Sequence, residues 1–337
     1  MKVAVVILNW NGKKFLEKFL PFVIRYSEHA EIIVADNAST DDSVAFLKIH
    51  HPEIRIIQNP TNGGFAKGYN DALKQVNADY YILLNSDIEI THGWIEPVIA
   101  MMEKDKTIGA CQPKILSYAD REHFEYAGAA GGFIDKYGYP FCRGRIFQSL
   151  EKDNEQYNDT IEVFWATGAC MFVRASIYHE IGGLDEKFFA HMEEIDFCWR
   201  MKQSGYKIMY CPESKVYHIG GGTLPKISYR KTYLNFRNNL FMLFKNHPTE
   251  KIIPILLTRF ILDGVAGLKF FIDGGFKDCY AVTRAHFSFY RNLPALYRDR
   301  KKINHTNVSM IYQKNLVVEY FIRKKDTFNK MDLTKFS

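Results

Sequence analysis

The sequence predicts an α/β fold: a mixed or parallel sheet flanked by helices, followed by a basic, helix-rich C-terminal region. Three observations point there. Short β-branched runs alternate with helix-like segments, the strand ends carry clusters of carboxylates and amides, and charge is divided unevenly along the chain. Residues 225–337 hold 21 Lys and Arg against 8 Asp and Glu, whereas residues 1–224 hold 23 against 30. The division into a 1–224 domain and a 225–337 region is placed near Gly220-Gly221-Gly222, a triplet of flexible residues.

Val3–Leu8 is a continuous apolar run, as expected of a strand buried on both faces. Lys13–Tyr26 reads as a helix that Pro21 could break. Glu31–Ala35 is a second strand, and Asp41–Ile49 a helix introduced by a Ser/Thr/Asp cluster. Ile54–Gln58, Ala66–Gln75 and Asp79–Leu84 continue as strand, helix and strand. Ligands of such sheets bind beyond the C-terminal strand ends, so those residues bear most on function.

Composition excludes several classes. With 47% hydrophobic and 24% charged residues the chain buries a core and is not disordered. The six cysteines include no CxxC pair, which argues against a disulfide scaffold or thiolate zinc site and for a reducing, cytoplasmic setting. The apolar run before Asn9 is too short for a secretory signal, so none is expected. Neither Asn9-Trp10-Asn11-Gly12 nor Gly63-Gly64-Phe65-Ala66-Lys67-Gly68 fits a dinucleotide fingerprint or a P-loop.

The strand ends carry candidate chemistry. Asp36-Asn37 follows the second strand; these residues suit a helix N-cap and equally the edge of a nucleobase and its ribose. Asp87 is the first charged group after the buried fourth strand, where a carboxylate and substrate phosphates would suit Mg²⁺ or Mn²⁺. Glu89, on the opposite face of an extended chain, ranks below it. Glu193, Glu194 and Asp196 crowd three acids into four positions, and crowding of buried acids raises a pKa toward what a general base requires. Asp196 and Arg200 are spaced as a structural i,i+4 pair. His218 ends another strand, before the glycines.

Seven segments occur in order: ILNWNG, VADNASTDDS, NPTNGGFAKGYNDAL, LLNSDIEI, TGACMFVR, GGLDEKFFAHMEEIDFCWRMKQSGY and VYHIGGGT. Together they resemble glycosyltransferase family 2, the inverting GT-A group that includes bacterial rhamnosyltransferase-like enzymes. The resemblance implies a GT-A fold over residues 1–224 and a divalent metal. It also implies sugar transfer from a nucleotide-diphosphate donor, UDP- or dTDP-linked, to a saccharide or lipid-linked acceptor in cell-surface polysaccharide synthesis. Asn9, Asp36, Asn37, Gly64, Asn70, Asn85 and Asp87 would line the donor site. Asp87, the only acid of Asn85-Ser86-Asp87, and His218 would hold the metal. Glu194 would be the base, with Glu193 as fallback. Gly168 and Trp165 would meet the acceptor, although a Trp of this kind equally serves a core. The processive QxxRW signature is absent, and Trp199-Arg200 reverses its last two residues, so single addition is expected.

In the basic region, Ile252–Ile272 is apolar but interrupted by Pro254, Arg259, Asp263 and Lys269, so it should not span a bilayer. Aromatic and aliphatic faces rich in Lys and Arg suit the surface of an anionic membrane; packing on the catalytic domain or a second subunit is the competing arrangement. The apolar content speaks against nucleic acid. Arg237 and Asn238, soon after the glycines, are candidates to touch the diphosphate. Two rival functions have distinct signatures. A non-catalytic sugar- or nucleotide-binding module would have lost its acids, and a sugar nucleotidyltransferase would carry a Gly- and Arg-rich phosphate loop after the first strand.

Overall fold

The computed structural model describes residues 1–220 and 228–337; Gly221 and Gly222 of the glycine triplet, and the boundary at residue 224, lie outside them. The first half alternates as its sequence pattern requires. The elements are β1 (Val3–Asn9), α1 (Lys13–Tyr26), β2 (Ala30–Asp36), α2 (Ser43–His50), β3 (Arg55–Gln58), α3 (Gly64–Leu73), β4 (Tyr80–Asn85), β5 (Ile88–Ile90) and α4 (Glu96–Lys104). Pro21 does not break α1. It sits on the exposed face, where the helix loses one internal hydrogen bond and no packing.

Then come β6 (Ile108–Ser117), β7 (Gly132–Asp135), β8 (Pro140–Cys142), β9 (Arg145–Ile146), β10 (Ser149–Leu150), β11 (Ile161–Val163) and β12 (Cys170–Arg174). They are followed by α5 (Ala175–Glu180), α6 (Glu193–Gln203) and β13 (Lys207–His218). The basic region supplies α7 (Tyr229–Asn246), α8 (Thr249–Ile272), α9 (Phe276–Arg300) and a short strand, β14 (Ile311–Tyr312).

Among the described residues, nine strands form the main sheet in the order β11-β13-β6-β12-β4-β1-β2-β3, with β5 beside β13. β1 runs parallel to both β2 and β4, while β12 is antiparallel to β4 and β6, so the sheet is mixed. The chain winds outward from β1 through β2 to β3, then returns to place β4 on β1's other side. That reversal makes the C-terminal end of β1 a switch point, the usual ligand crevice of such sheets. Register puts Asn9 opposite Asp36 and Leu8 opposite Asn85, so three of the candidate polar residues stand at one level.

Side chains alternate across the sheet. Val3, Val5 and Ile7 enter one hydrophobic core, Ala4 and Val6 the other. The second core also takes Leu240–Leu243 of α7 together with Phe328 and Met331. β14 pairs with β7 at the edge of a smaller five-stranded sheet. The C-terminal region is thus built into the same core as the first half of the chain.

Candidate active site

The polar residues at the ends of β1, β2 and β4 form one connected surface. Asn9 Nδ2 donates to Asp36 Oδ1 (3.2 Å), and Asp36 Oδ2 accepts from the Ser39 amide (3.0 Å). Asn9 Oδ1 is buried and unpartnered among the described residues. Gly12 passes so close that a Cβ there would collide with it and come within 3.2 Å of Ser86 Oγ. This joins the β1 end to the Asn85-Ser86-Asp87 turn.

Asn37 and Asn70 have other work. Asn37 receives a hydrogen bond from Asn59 Nδ2 (3.2 Å) and donates to Asn62 Oδ1 and the Gly64 carbonyl (3.0 Å each). It thereby ties the ends of β2 and β3 to the start of α3. Asn70 Oδ1 accepts from the Leu184 amide and Tyr178 hydroxyl, and its Nδ2 donates to the Leu184 carbonyl (2.8 Å) and Glu186. Both side chains are engaged in holding loops.

Asp87 is buried just beyond β4, and β13 runs antiparallel to β5 so that His218 stands opposite Ile88. His218 Nε2 lies 3.2 Å from Asp87 Oδ1, and its Nδ1 lies 3.1 Å from Glu125 Oε2. Burial disfavours the charged ring, but Glu125 and Asp87 outweigh it and raise its pKa to about 10. Glu125 is buried, accepts from the Ala127 amide, and is overlain by Gly220, where any Cβ would crowd Glu125 Oε1. Its role was not apparent from sequence. Glu89 is engaged by Arg121 at 2.8 and 2.9 Å, whereas Asp87 faces His218.

Among the described residues no three His, Cys, Asp or Glu side chains form a closed metal cage. The Asp87–His218 pair nevertheless suits a divalent ion, provided that the ion displaces the His218 Nε2 proton. Two adjacent ligands of an octahedral ion with bonds of about 2.1 Å stand about 3 Å apart, close to the observed 3.2 Å. An oxygen–nitrogen pair suits Mg²⁺ or Mn²⁺, which leaves further positions to water and substrate oxygens.

The base candidates approach the end of β4 from its β12 edge. The Asn85 amide donates to the Ala169 carbonyl (2.9 Å), which brings Gly168 to the strand end. A Cβ on Gly168 would lie 2.8 Å from the Phe65 ring and 3.8 Å from Glu194 Cβ. Asp87 and Glu194 therefore belong to one corner of the molecule, linked through Asn85 and Gly168. Glu193 and Glu194 open α6, and Oε2 of each is buried without a hydrogen-bond partner among the described residues. Burial pushes Glu194 up to about 7; burial, with Glu194 beside it, holds Glu193 well above the ordinary carboxyl range. Asp196 behaves oppositely. Arg200 (2.9 Å), Lys245 (2.9 Å) and Asn246 (2.8 Å) surround it, so despite burial it stays ionised, and the expected Asp196–Arg200 pair is present.

The approach to α6 is strained. Phe189, His191 and Met192 all take left-handed φ, between 65° and 72°, a conformation that accumulates at functional sites. Gly64, itself at φ +86°, meets this loop so closely that a Cβ would overlap the Phe189 carbonyl. From α7, Asn238 Nδ2 lies within 2.7–2.9 Å of the Phe188, Ala190 and His191 carbonyls. Arg237 donates to the Lys187 and Phe188 carbonyls and to Asn238 Oδ1. The pair does not face a diphosphate, as the sequence suggested. Their donors are directed at carbonyls and brace the loop that presents Glu194. Trp165 also departs from its acceptor assignment: it is 3% exposed, with its indole N–H on the Phe133 carbonyl (2.9 Å). A stacking face needs exposure, and this ring has none.

The model of the family described as Glycosyl transferase family 2 matches residues 4–182. The chain belongs to glycosyl transferase family 2. The N-acetylglucosaminyl-diphospho-decaprenol L-rhamnosyltransferase of Mycobacterium tuberculosis (strain CDC 1551 / Oshkosh) is 25% identical over 235 residues, 64% of this chain and 75% of that protein. Rhamnosyltransferase WbbL of Escherichia coli (strain K12) is 25% identical over 227 residues, 64% of this chain and 83% of the relative. Among solved structures, GalNAc-T7 with UDP, GalNAc and Mn²⁺ superposes with a TM-score of 0.57 at 17% identity, over 74% of this chain and 49% of that one. That likeness shows the GT-A fold of this family 2 glycosyltransferase. The matched segment contains the polar residues at the ends of β1, β2 and β4 and Asp87, and it ends before Glu194 and His218.

Proposed function

We propose that the protein is a metal-assisted, inverting, single-addition glycosyltransferase. It would move a sugar from a uridine- or thymidine-diphosphate donor to a hydroxyl of a lipid-linked saccharide. The observation that carries this reading is the Glu194 carboxyl at a strained helix mouth, its Oε2 buried and unpartnered among the described residues, raised to about 7 and set beside Gly168 in the corner that also holds Asp87.

In this reading the base and ribose lie over the ends of β1 and β2. There Asn9 Oδ1 is unpartnered, and Asp36 has lone pairs beyond those its two neighbours use. Asp87 and His218 would hold Mg²⁺ or Mn²⁺, with Glu125 fixing the His218 ring through Nδ1. That ion, when bound, supplies the positive charge that stabilises the departing diphosphate. Gly168, lacking a side chain, lets the Phe65 ring and Glu194 close in on the strand end that the acceptor would approach. The acceptor oxygen attacks the anomeric carbon, its proton passes to Glu194 Oε2, and the bond from that carbon to the diphosphate oxygen breaks. No second carboxylate is assigned as a nucleophile, so attack is direct and the configuration inverts. Support for the acceptor class comes from the M. tuberculosis relative, whose name specifies a diphospho-decaprenol-linked sugar.

The test is a panel of UDP-, dTDP- and GDP-sugars with and without Mn²⁺ and a polyprenyl-diphosphate-linked saccharide. The products are resolved by mass and by the anomeric proton coupling. Metal-dependent release of nucleoside diphosphate with an inverted linkage is expected. Pyrophosphate release would mean nucleotidyl chemistry, and binding without turnover of any donor would mean a non-catalytic module; either overturns the proposal.

A further inference from the structure

Helix α8 is turned inside out. Between Ile252 and Leu268 its only charged residues are Arg259 and Asp263, and both are buried. Arg259 pairs with Asp263 (2.8 Å), donates to the Tyr137 carbonyl and lies over the Tyr139 ring at 3.8 Å; His286 of α9 meets Asp263 from the other side (3.1 Å). The polar face thus fastens α8 to the body of the protein. Ile253, Leu257, Ile261, Val265, Leu268 and Ile272 point outward, 58–73% exposed. At 3.6 residues per turn these six fall within an arc of about 120° and form a stripe about 30 Å long.

Helix α9 continues this surface with different chemistry. Phe276, Tyr280, Phe287, Tyr290 and Tyr297 form an exposed aromatic row. Beside it, Lys277, Arg284, Arg291 and Arg298 recur every seventh residue, all exposed. The two helices meet within the patch, where Tyr290 contacts Phe260 (5.8 Å between centroids), and at its end, where Phe271 meets Phe276 (5.0 Å). The acids of α8 and α9 with described partners are engaged elsewhere. Asp278 accepts from Thr232, Asp299 pairs with Lys187, and Asp273 pairs with Lys269.

We propose that the exposed faces of α8 and α9 lie in the surface of an anionic lipid bilayer, the aliphatic stripe of α8 among the acyl chains and the aromatic and basic rows of α9 at the headgroups. Aliphatic residues flanked by interfacial aromatics and cations are the arrangement such surfaces select. No helix among the described residues is long and apolar enough to cross a membrane, so α8 lies in the plane. A second copy fits less well, because a two-fold contact would set the cationic row against itself. The inference deepens the proposed function only in saying where a lipid-linked acceptor is met, and membrane binding is measurable without turnover.

Flotation of the full chain tests it, with vesicles of phosphatidylcholine alone or mixed with phosphatidylglycerol, at low and high salt. Floating with the mixed vesicles only, weakened by salt, is expected. Arg284→Gln, Arg291→Gln and Arg298→Gln should each weaken partitioning about fivefold. Leu257→Ser with Ile261→Ser should abolish it while Mn²⁺ binding and melting temperature are retained. Failure of the parent protein to float, or equal flotation of these variants, would overturn the inference. Dissociation of a dimer by Leu257→Ser with Ile261→Ser would overturn it in favour of self-association. Loss of transfer to a water-soluble acceptor with flotation intact would count against the enzymatic reading alone.

Discussion

Replacing Glu194 with Gln should make the protein more stable and nearly inactive. Burial raises this carboxyl from the ordinary 4.5 to about 7, so the ionised folded state carries a cost of about 3 kcal/mol. The sign follows from linkage. Below about pH 4.5 the group is protonated whether folded or unfolded, and no cost exists. As pH rises the unfolded chain releases its proton first, so stability falls until about pH 7, where the cost is complete. Glutamine avoids it. Over 337 residues the unfolding entropy near the midpoint is about 0.7 kcal/mol per kelvin, so a gain of up to about 4 °C is expected at about pH 8 and none at about pH 4. Turnover should fall by about 10²- to 10⁴-fold, the usual contribution of a general base. In the parent protein kcat/KM should rise with pH to a plateau above about 7, a limb that belongs to the Glu193–Glu194 pair jointly. Differential scanning calorimetry across pH and steady-state kinetics provide the readouts. Turnover within tenfold of the parent, or a melting temperature unchanged at alkaline pH, would refute the argument.

Two further outcomes are expected. Glu125→Gln should weaken Mn²⁺ binding about 10- to 100-fold in isothermal titration or electron paramagnetic resonance, because the His218 ring loses the carboxylate that orients it, and should lower the melting temperature near neutral pH, because a buried ion pair is broken. Asn238→Ala should cost about 2–3 kcal/mol in thermal or urea melts, since three loop carbonyls lose a buried donor. It should also lower kcat while leaving Mn²⁺ affinity in place.

The legible parts of this protein are those written in local pattern. Val3–Asn9 and Tyr80–Asn85 announce themselves because a strand buried on both faces needs an unbroken apolar run, and Asp87 stands out as the first charge beyond one. The clustering of Glu193, Glu194 and Asp196 was visible, as was the pairing of Asp196 with Arg200. What escaped depends on contacts between distant segments. Nothing local marks Glu125 as the partner of His218, since that meeting is made by the loop after β6 folding back onto the end of β13. Arg237 and Asn238 offered only their position soon after the glycines, which suggested a diphosphate; their partners, carbonyls of the 187–191 loop, come from a segment about fifty residues away. Trp165 was ambiguous because a core Trp and a sugar-stacking Trp read alike until exposure is known.

The grip of α7 on the 187–192 loop and on Asp196 has a practical corollary. A fragment trimmed to the family-matched stretch, residues 4–182, would lack α6 and α7, and with them Glu194 and the clamp on its loop. Shortened forms should retain α7, and exchanges between relatives should move the segment from Gly168 through α7 as a block, because its strained backbone and its clamp stabilise each other.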